Sequence, residues 1–174
     1  RSDLNEFERQ VVDTRTRKSV TIQSEVMRSY QEVEIANFLY LNTIDYEYEP
    51  MYRYNILFAR KPYTPDFIIR QGDKVAYIEH FGITQDGKND RYSSDELNTY
   101  KKAINDKISL HRQHGTTLIY TFSNYNDGRS LLDHLKEELE ANGFVLSPRS
   151  NKEVLEKLVT SEENRYIRKL VALI

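Results

Sequence analysis

The first apolar positions of the chain are spaced as they are in a helix. Phe7, Val11 and Val12 recur at helical intervals and predict a short amphipathic helix near the start of the chain. The run TRTRKSVTIQ that follows is polar and mixed in charge, a composition typical of a connector. Residues 1–28 are therefore predicted to form a short N-terminal helix and a connecting segment.

A second helical pattern begins at Ser29. Ser29 followed by Glu32 has the spacing of a capping box, in which two side chains bond to backbone N–H groups at the start of a helix. In VEIANFLYLN the apolar residues then share one helical face. We predict a helix from about Tyr30 to Asn42, with Glu32 projecting from the stripe that faces a sheet.

Three strand patterns follow this helix. The stretch TIDYEYEP alternates apolar and polar residues, which is typical of a half-buried strand. Pro65 precedes the apolar run DFII, and the run DKVAYIEHFGI comes after the turn signal Gln71-Gly72-Asp73. These two runs predict an antiparallel hairpin whose second strand is long and mostly apolar.

The rest of the chain predicts three helices and one strand. Ser94 or Asp95 would cap a long helix that ends at about His114, where Gly115 stops it. The sequence TTLIYTFS indicates a short buried strand, and GRSLLDHLKEELEANG indicates an amphipathic helix with a glycine stop. The last segment has a helical period and predicts a C-terminal helical extension over residues 147–174.

The order of the predicted elements indicates the fold class. Helix, three strands, helix, strand and helix predict an α/β fold, with a mixed central sheet flanked by helices. We assign residues 29–146 to this domain.

Composition and charge exclude several classes of function. The 174 residues suffice for one domain with a substantial core, and the net charge of −2 gives no global attraction for nucleic acid. There is no cysteine, which excludes disulfides, thiolate zinc sites and a cysteine nucleophile. No apolar run is long enough for a membrane span and no signal peptide opens the chain, so we expect a cytoplasmic protein with no membrane partner. The chain starts at Arg1 rather than Met, which favours a segment of a longer protein.

The candidate chemistry lies in carboxylates at strand ends. Asp66 opens one strand of the predicted hairpin, and Glu79 lies near the end of the other. Counted from Gly72, they are six and seven residues away, so the two should be nearly opposite each other. With Glu32 from the preceding helix, their oxygens would suit a hard divalent cation such as Mg²⁺ or Mn²⁺.

These segments resemble a known family of nucleases. The pattern YTPDF followed by YIEHFGI, after a helix with an acidic residue, resembles the PD-(D/E)xK (restriction-endonuclease-like) nuclease superfamily. With ANFLYLNTIDYEYEP, it is more narrowly similar to the nuclease-like domain of bacterial superfamily 1 DNA helicases of the helicase IV type. The resemblance covers roughly Ser29 to Gly143. It implies an αβββαβ core and hydrolysis of DNA by a metal-activated water.

The resemblance also implies roles for individual residues. Asp66 and Glu79 match the metal-binding acids, and Glu32 matches the acid that the superfamily often carries on the preceding helix. The lysine expected two residues after the glutamate is Phe81 here. Some members supply this lysine from the following helix, and Lys107 is then the candidate, on the inward stripe with Ile104, Ile108 and His111. Its role would be to orient or activate the attacking water and to offset charge on the phosphate.

The family also implies partners. DNA would be the substrate, and the remainder of a larger helicase chain would carry the ATP-binding motor, with a role in DNA repair. No phosphate loop of the Walker type occurs in this segment.

Several alternatives stay open from the residues alone. The domain could be a catalytically inactive DNA-binding or interaction module of a helicase, or a scaffold with no nucleic-acid partner. Glu32 could serve only as a capping residue, Lys107 could be a solvated lysine, and His111 could complement the end of its helix. The tyrosines of YEYEPMYRY favour strand and core packing over a base-stacking platform. A subset of the basic residues, including Lys61 and Arg70, could hold a phosphate backbone.

Overall fold

The computed structural model describes residues 5–173, without the side chains of Asn164, Arg165, Ile167 and Arg168. Its described residues form two compact units: one comprises those up to Ile44 and from Leu146 onwards, and the other is Asp45–Val145. The division into residues 1–28, 29–146 and 147–174 stays a prediction. The elements are α1 (Glu6–Arg17), α2 (Tyr30–Leu41), β1 (Asp45–Tyr48), β2 (Leu57–Phe58), β3 (Lys61–Pro62), β4 (Phe67–Gln71), β5 (Lys74–Thr84), α3 (Ser94–His114), β6 (Leu118–Asn124), α4 (Leu131–Ala141) and α5 (Asn151–Ala172).

The first unit is helical. Ser29 caps α2 by accepting a hydrogen bond from the backbone N–H of Glu32, and α2 buries the apolar face that its sequence predicts. Helix α1 begins at a capping box formed by Asn5 and Glu8. It continues through Arg17, so the prediction of a connector is wrong for the first part of TRTRKSVTIQ.

A buried arginine explains why α1 is longer than its apolar pattern. The guanidinium of Arg15 donates to Glu162 of α5 at 2.7 Å and to the backbone carbonyls of Ile22 and Leu158. Glu162 and Leu158 lie far along the chain from Arg15. Together the three partners satisfy a charge that would otherwise be costly to bury. The polar sequence of this turn therefore serves tertiary contacts within the first unit.

The second unit contains a mixed four-stranded sheet. Its strand order is β1-β4-β5-β6, with antiparallel pairing across β1, β4 and β5 and parallel pairing between β5 and β6. Helix α3 connects the two parallel strands, and α4 packs against β6. The predicted α/β class and mixed sheet with flanking helices are confirmed.

The predicted strands and the long helix lie close to their expected bounds. Helix α3 starts one or two residues earlier than expected because Ser93, rather than Ser94 or Asp95, is its N-cap. Gly115 ends it in the left-handed conformation with φ of 68°. The sequence patterns gave no sign of β2 and β3, which pair over two residues each around a tight turn. Strands of two residues are too short to show an alternation of apolar and polar positions.

Side chains of β5 alternate between the two faces of the sheet. Phe81 and Ile83 pack against Ile104 of α3, and Tyr77 lies on the same face in a second apolar cluster. Glu79 falls between Tyr77 and Phe81 and therefore faces α3. Among the described residues, no helix combines the length and hydrophobicity needed to cross a bilayer.

Candidate active site

The register of the β4–β5 hairpin brings two carboxylates together at the open end of that hairpin. Phe67 pairs with Ile78, so Asp66, one residue before Phe67, lies across from Glu79, one residue after Ile78. This agrees with the near-opposition expected from the hairpin. Asp66 is buried and its Oδ2 accepts a hydrogen bond of 2.7 Å from the backbone N–H of His80.

Glu79 is held by two side chains from different parts of the second unit. Its side chain is 2% exposed. Tyr63 donates its hydroxyl to Oε1 at 2.8 Å, and the ammonium of Lys107 lies 3.4 Å from Oε2. A buried carboxylate needs such partners, because an unpaired charge in this position would be costly.

Lys107 reaches the site from the fourth turn of α3, as the inward stripe of that helix predicts. Its side chain is 25% exposed, so most of its length packs against the protein. The ammonium lies 5.6 Å from the ring centre of Phe58 and 6.0 Å from that of Phe81, both within the range of cation–π attraction. The ammonium is therefore held between these two rings and the Glu79 carboxylate.

A chain of hydrogen bonds continues from Glu79 into the interior. The Tyr63 oxygen lies 2.9 Å from Nε2 of His111, and Nδ1 of His111 lies 2.8 Å from the hydroxyl of Thr116. The Thr116 hydroxyl is in turn 2.6 Å from that of Tyr52. Five polar side chains thus form one continuous network beneath the candidate site.

Burial sets the protonation of this network. It lowers the pKa of His111 to about 4, and the nearby charges of His114 and Lys107 act in the same direction. Burial and the adjacent Glu79 carboxylate raise the pKa of the Tyr63 hydroxyl well above its usual range. The hydroxyl hydrogen of Tyr63 is already donated to Glu79. A neutral His111 therefore carries its hydrogen on Nε2 and donates it to the Tyr63 oxygen.

The sequence patterns missed Tyr63 and His111 as parts of this site. His111 stands one helical turn after Lys107 on the same stripe, and Tyr63 stands three residues before Asp66. These two positions are the features of the sequence that could have identified Tyr63 and His111. The expectation that His111 merely complements the end of its helix omits its buried bonds to Tyr63 and Thr116.

Glu32 and His80 make other contacts. Glu32 belongs to the first unit, where its side chain accepts a 3.1 Å hydrogen bond from the hydroxyl of Ser29. Its part in a metal site with the two strand carboxylates stays a prediction. His80 is turned to the other face of β5, where its Nδ1 lies 2.9 Å from the Thr121 hydroxyl and burial lowers its pKa to about 4.

The donor chemistry of the paired carboxylates fits a hard cation. Asp66 and Glu79 offer oxygen atoms, which Mg²⁺ and Mn²⁺ prefer, and Mg²⁺ commonly binds through one or two carboxylates and several waters. Among the side chains that the structure describes, no three His, Asp or Glu are grouped so that they could hold a metal ion.

Part of a longer archaeal protein is similar to this sequence. Over 151 residues the chain is 27% identical to Uncharacterized protein MJ1519 of Methanocaldococcus jannaschii. The alignment covers 84% of this chain and 11% of that protein, so the chain spans a small part of the relative's length. No family model matches the chain, and no solved structure matches it.

Proposed function

We propose that this chain is the metal-dependent nuclease-like domain of a DNA helicase and hydrolyses DNA phosphodiester bonds. The observation that carries the proposal is that three charged side chains come together at the open end of the β4–β5 hairpin. Asp66 lies across from Glu79 in the hairpin register, and the ammonium of Lys107 is 3.4 Å from a Glu79 oxygen. Two carboxylates and a lysine are the set that the PD-(D/E)xK resemblance implies.

Each group would have a defined role. Asp66 and Glu79 would hold Mg²⁺ or Mn²⁺, with Glu32 as the third acid that the resemblance implies. The bound ion would lower the pKa of a coordinated water and offset charge on the phosphate. Lys107 would hold the attacking water or a phosphate oxygen through its ammonium, while Tyr63 keeps the Glu79 carboxylate oriented.

The order of the elements supports the nuclease fold. Apart from the two-residue strands β2 and β3, which lie between β1 and β4, the elements α2, β1, β4, β5, α3 and β6 follow the αβββαβ order of the resembled core. Lys107 lies on the helix after the third strand, the position from which some members of that superfamily supply their lysine. The helicase parent, with its ATP-binding motor, role in DNA repair and cytoplasmic location, follows from the resemblance alone.

A second candidate is a non-catalytic DNA-binding module with the same fold. The observation that favours it is the state of Glu79, because both of its oxygens are bonded to neighbouring side chains. A cation would have to share one of these oxygens with Tyr63 or Lys107. The aromatic side chain of Phe81 at the usual lysine position points in the same direction.

Cleavage assays distinguish the two candidates. Labelled single- and double-stranded DNA would be incubated with Mg²⁺ or Mn²⁺ and the wild type, Asp66→Ala or Asp73→Ala. Asp73 is an exposed carboxylate in the β4–β5 turn and serves as the matched control. The nuclease proposal expects cleavage by the wild type and Asp73→Ala, and its loss in Asp66→Ala. Binding without cleavage in all three proteins supports the second candidate, and equal cleavage in all three indicates a contaminant or another site.

A further inference from the structure

The segment between β1 and β4 has an unusual composition. Residues 51–63, MYRYNILFARKPY, contain Arg53, Arg60 and Lys61 but no acidic residue. We call this segment the basic hairpin, because β2 and β3 pair within it around the turn at Ala59 and Arg60. The whole chain has a net charge of −2, so this segment is a local exception to its charge balance.

Neither residue of the basic hairpin's turn is glycine, although both adopt a backbone conformation that favours glycine. Ala59 has a φ of 51° and Arg60 a φ of 67°. Two-residue hairpin turns with both φ values positive prefer sequences such as Asn-Gly. The left-handed conformation costs roughly 1–2 kcal/mol for each residue with a Cβ, and such strain concentrates at functional sites.

Among the described residues, the cations of the basic hairpin have no acidic partners. Within the described part of the chain, Arg53, Arg60 and Lys61 are exposed and form no ion pair. Other exposed cations of the same unit do form them, as Lys102 does with Asp106 at 2.7 Å. A cluster of unpaired cations is the arrangement that an anionic partner would neutralise.

Exposed apolar and aromatic groups accompany these cations. Met51 and Leu57 are 87% and 67% exposed. The ring of Tyr54 is also exposed, and the Arg53 guanidinium lies 5.7 Å from its centre. A single strand of nucleic acid offers both phosphates for the cations and unstacked bases for an aromatic ring paired with arginine.

The basic hairpin also borders the candidate active site. Phe58 of β2 lies 5.8 Å, ring centre to ring centre, from Tyr63, and the Lys107 ammonium is 5.6 Å from the Phe58 ring. Tyr63 in turn donates to Glu79. A strand held by the cations of the hairpin would therefore run beside the paired carboxylates.

We propose that the basic hairpin is a contact surface for a single strand of nucleic acid and guides its backbone to the site of Asp66 and Glu79. Arg60 and Lys61 would contact phosphates, and Tyr54 with Arg53 would stack on a base. The proposal rests on the proposed function, because it supplies the substrate surface of that same site. The substrate of the site would then be a single nucleic-acid strand with accessible bases.

The test compares two double variants with equal charge changes. Arg60→Gln/Lys61→Gln removes two cations of the hairpin, and Arg17→Gln/Lys18→Gln removes the same residue types at the C-terminal end of α1, where both are exposed. Fluorescence anisotropy would measure binding of a labelled 20-nucleotide single strand at several salt concentrations, in EDTA to prevent cleavage. Matching melting temperatures would verify that both variants are folded.

We expect the hairpin variant to lose about tenfold in affinity at low salt and its log–log salt slope to fall by about 1.4, which is about 0.7 for each of two phosphate contacts on a single strand. The control variant should stay within about twofold of the wild type. Equal losses in both variants, or a wild type that does not bind the strand, would overturn the proposal.

The outcome separates this proposal from the nuclease proposal. Strand binding that depends on the hairpin, in a protein that does not cleave, supports the surface and counts against catalysis. Cleavage that depends on Asp66, with strand binding unaffected by the hairpin variant, supports catalysis and overturns the surface.

Discussion

The ammonium of Lys107 lies 3.4 Å from Oε2 of Glu79, although 28 residues separate the two in the sequence. The contact joins the fourth turn of α3 to the middle of β5. It gives a buried carboxylate a cationic partner. Under the proposed function, Lys107 would take the role of the lysine that the resembled family carries at the position of Phe81. The chemistry proposed for this protein depends on this contact and on Asp66 opposite it.

Removing the Lys107 ammonium should impair cleavage specifically. We expect Lys107→Ala to lower the single-turnover cleavage rate by at least about a hundredfold, the lower range for loss of a positioned proton-transfer group. Lys102→Ala is the matched control, because Lys102 is exposed on the same helix and pairs with Asp106. Similar rates in the two variants would exclude Lys107 from the reaction.

Tyr63 should contribute to stability through its hydroxyl. In Tyr63→Phe the buried Glu79 Oε1 loses its donor and His111 loses its acceptor, so we expect a loss of about 2 kcal/mol in the free energy of unfolding. Urea denaturation measures this change. Tyr54→Phe is the control, since its ring is exposed, and should change the free energy by less than about 0.5 kcal/mol. Equal values for the two variants would mean that the Tyr63 hydroxyl is not bonded as described.

The buried histidine should make stability depend on pH. The pKa of His111 is about 4 in the folded state and about 6.5 in an unfolded chain. Between these values the unfolded state binds a proton that the folded state excludes, so stability is lost as the pH falls from about 6.5 to 4. The contribution is on the order of 3 kcal/mol.

Variants separate the contribution of His111 from that of other groups. The free energy of unfolding, measured from pH 7.5 to 4.5, should fall less steeply in His111→Gln, whose amide keeps a donor for Tyr63. Part of the slope should remain, because burial also lowers the pKa of His80 to about 4. An unchanged slope in His111→Gln would show that His111 is already charged in the folded protein.

The strained turn of the basic hairpin predicts a stabilising substitution. Glycine adopts the left-handed conformation of Ala59 without a Cβ clash, which outweighs its greater flexibility in the unfolded chain. We expect Ala59→Gly to raise the free energy of unfolding by about 0.5–1 kcal/mol. A loss of stability would mean that the turn is not left-handed in solution.

The sequence predicted those features that depend on local pattern. Helix α2, the hairpin of β4 and β5 and the opposition of Asp66 and Glu79 follow from periodicity and from a tight turn at Gly72. The position of Lys107 follows from the inward stripe of α3. Each of these needs information from only one or two adjacent elements.

Other features depend on contacts that local pattern does not encode. Tyr63 and His111 are 48 residues apart and meet only once α3 has packed on the sheet. The polar turn around Arg15 is helical because α5 supplies Glu162 to its guanidinium. The two-residue strands β2 and β3 are too short for any periodicity.

The central claim is that Asp66 and Glu79 together hold a divalent cation beside Lys107. Electron paramagnetic resonance of free Mn²⁺ during titration counts the ions bound per chain in the wild type, Asp66→Asn and Asp73→Asn. We predict a Mn²⁺ site in the wild type and in Asp73→Asn that is lost or strongly weakened in Asp66→Asn. A wild type that binds no Mn²⁺ in the millimolar range, or three proteins that bind it equally, would contradict the claim.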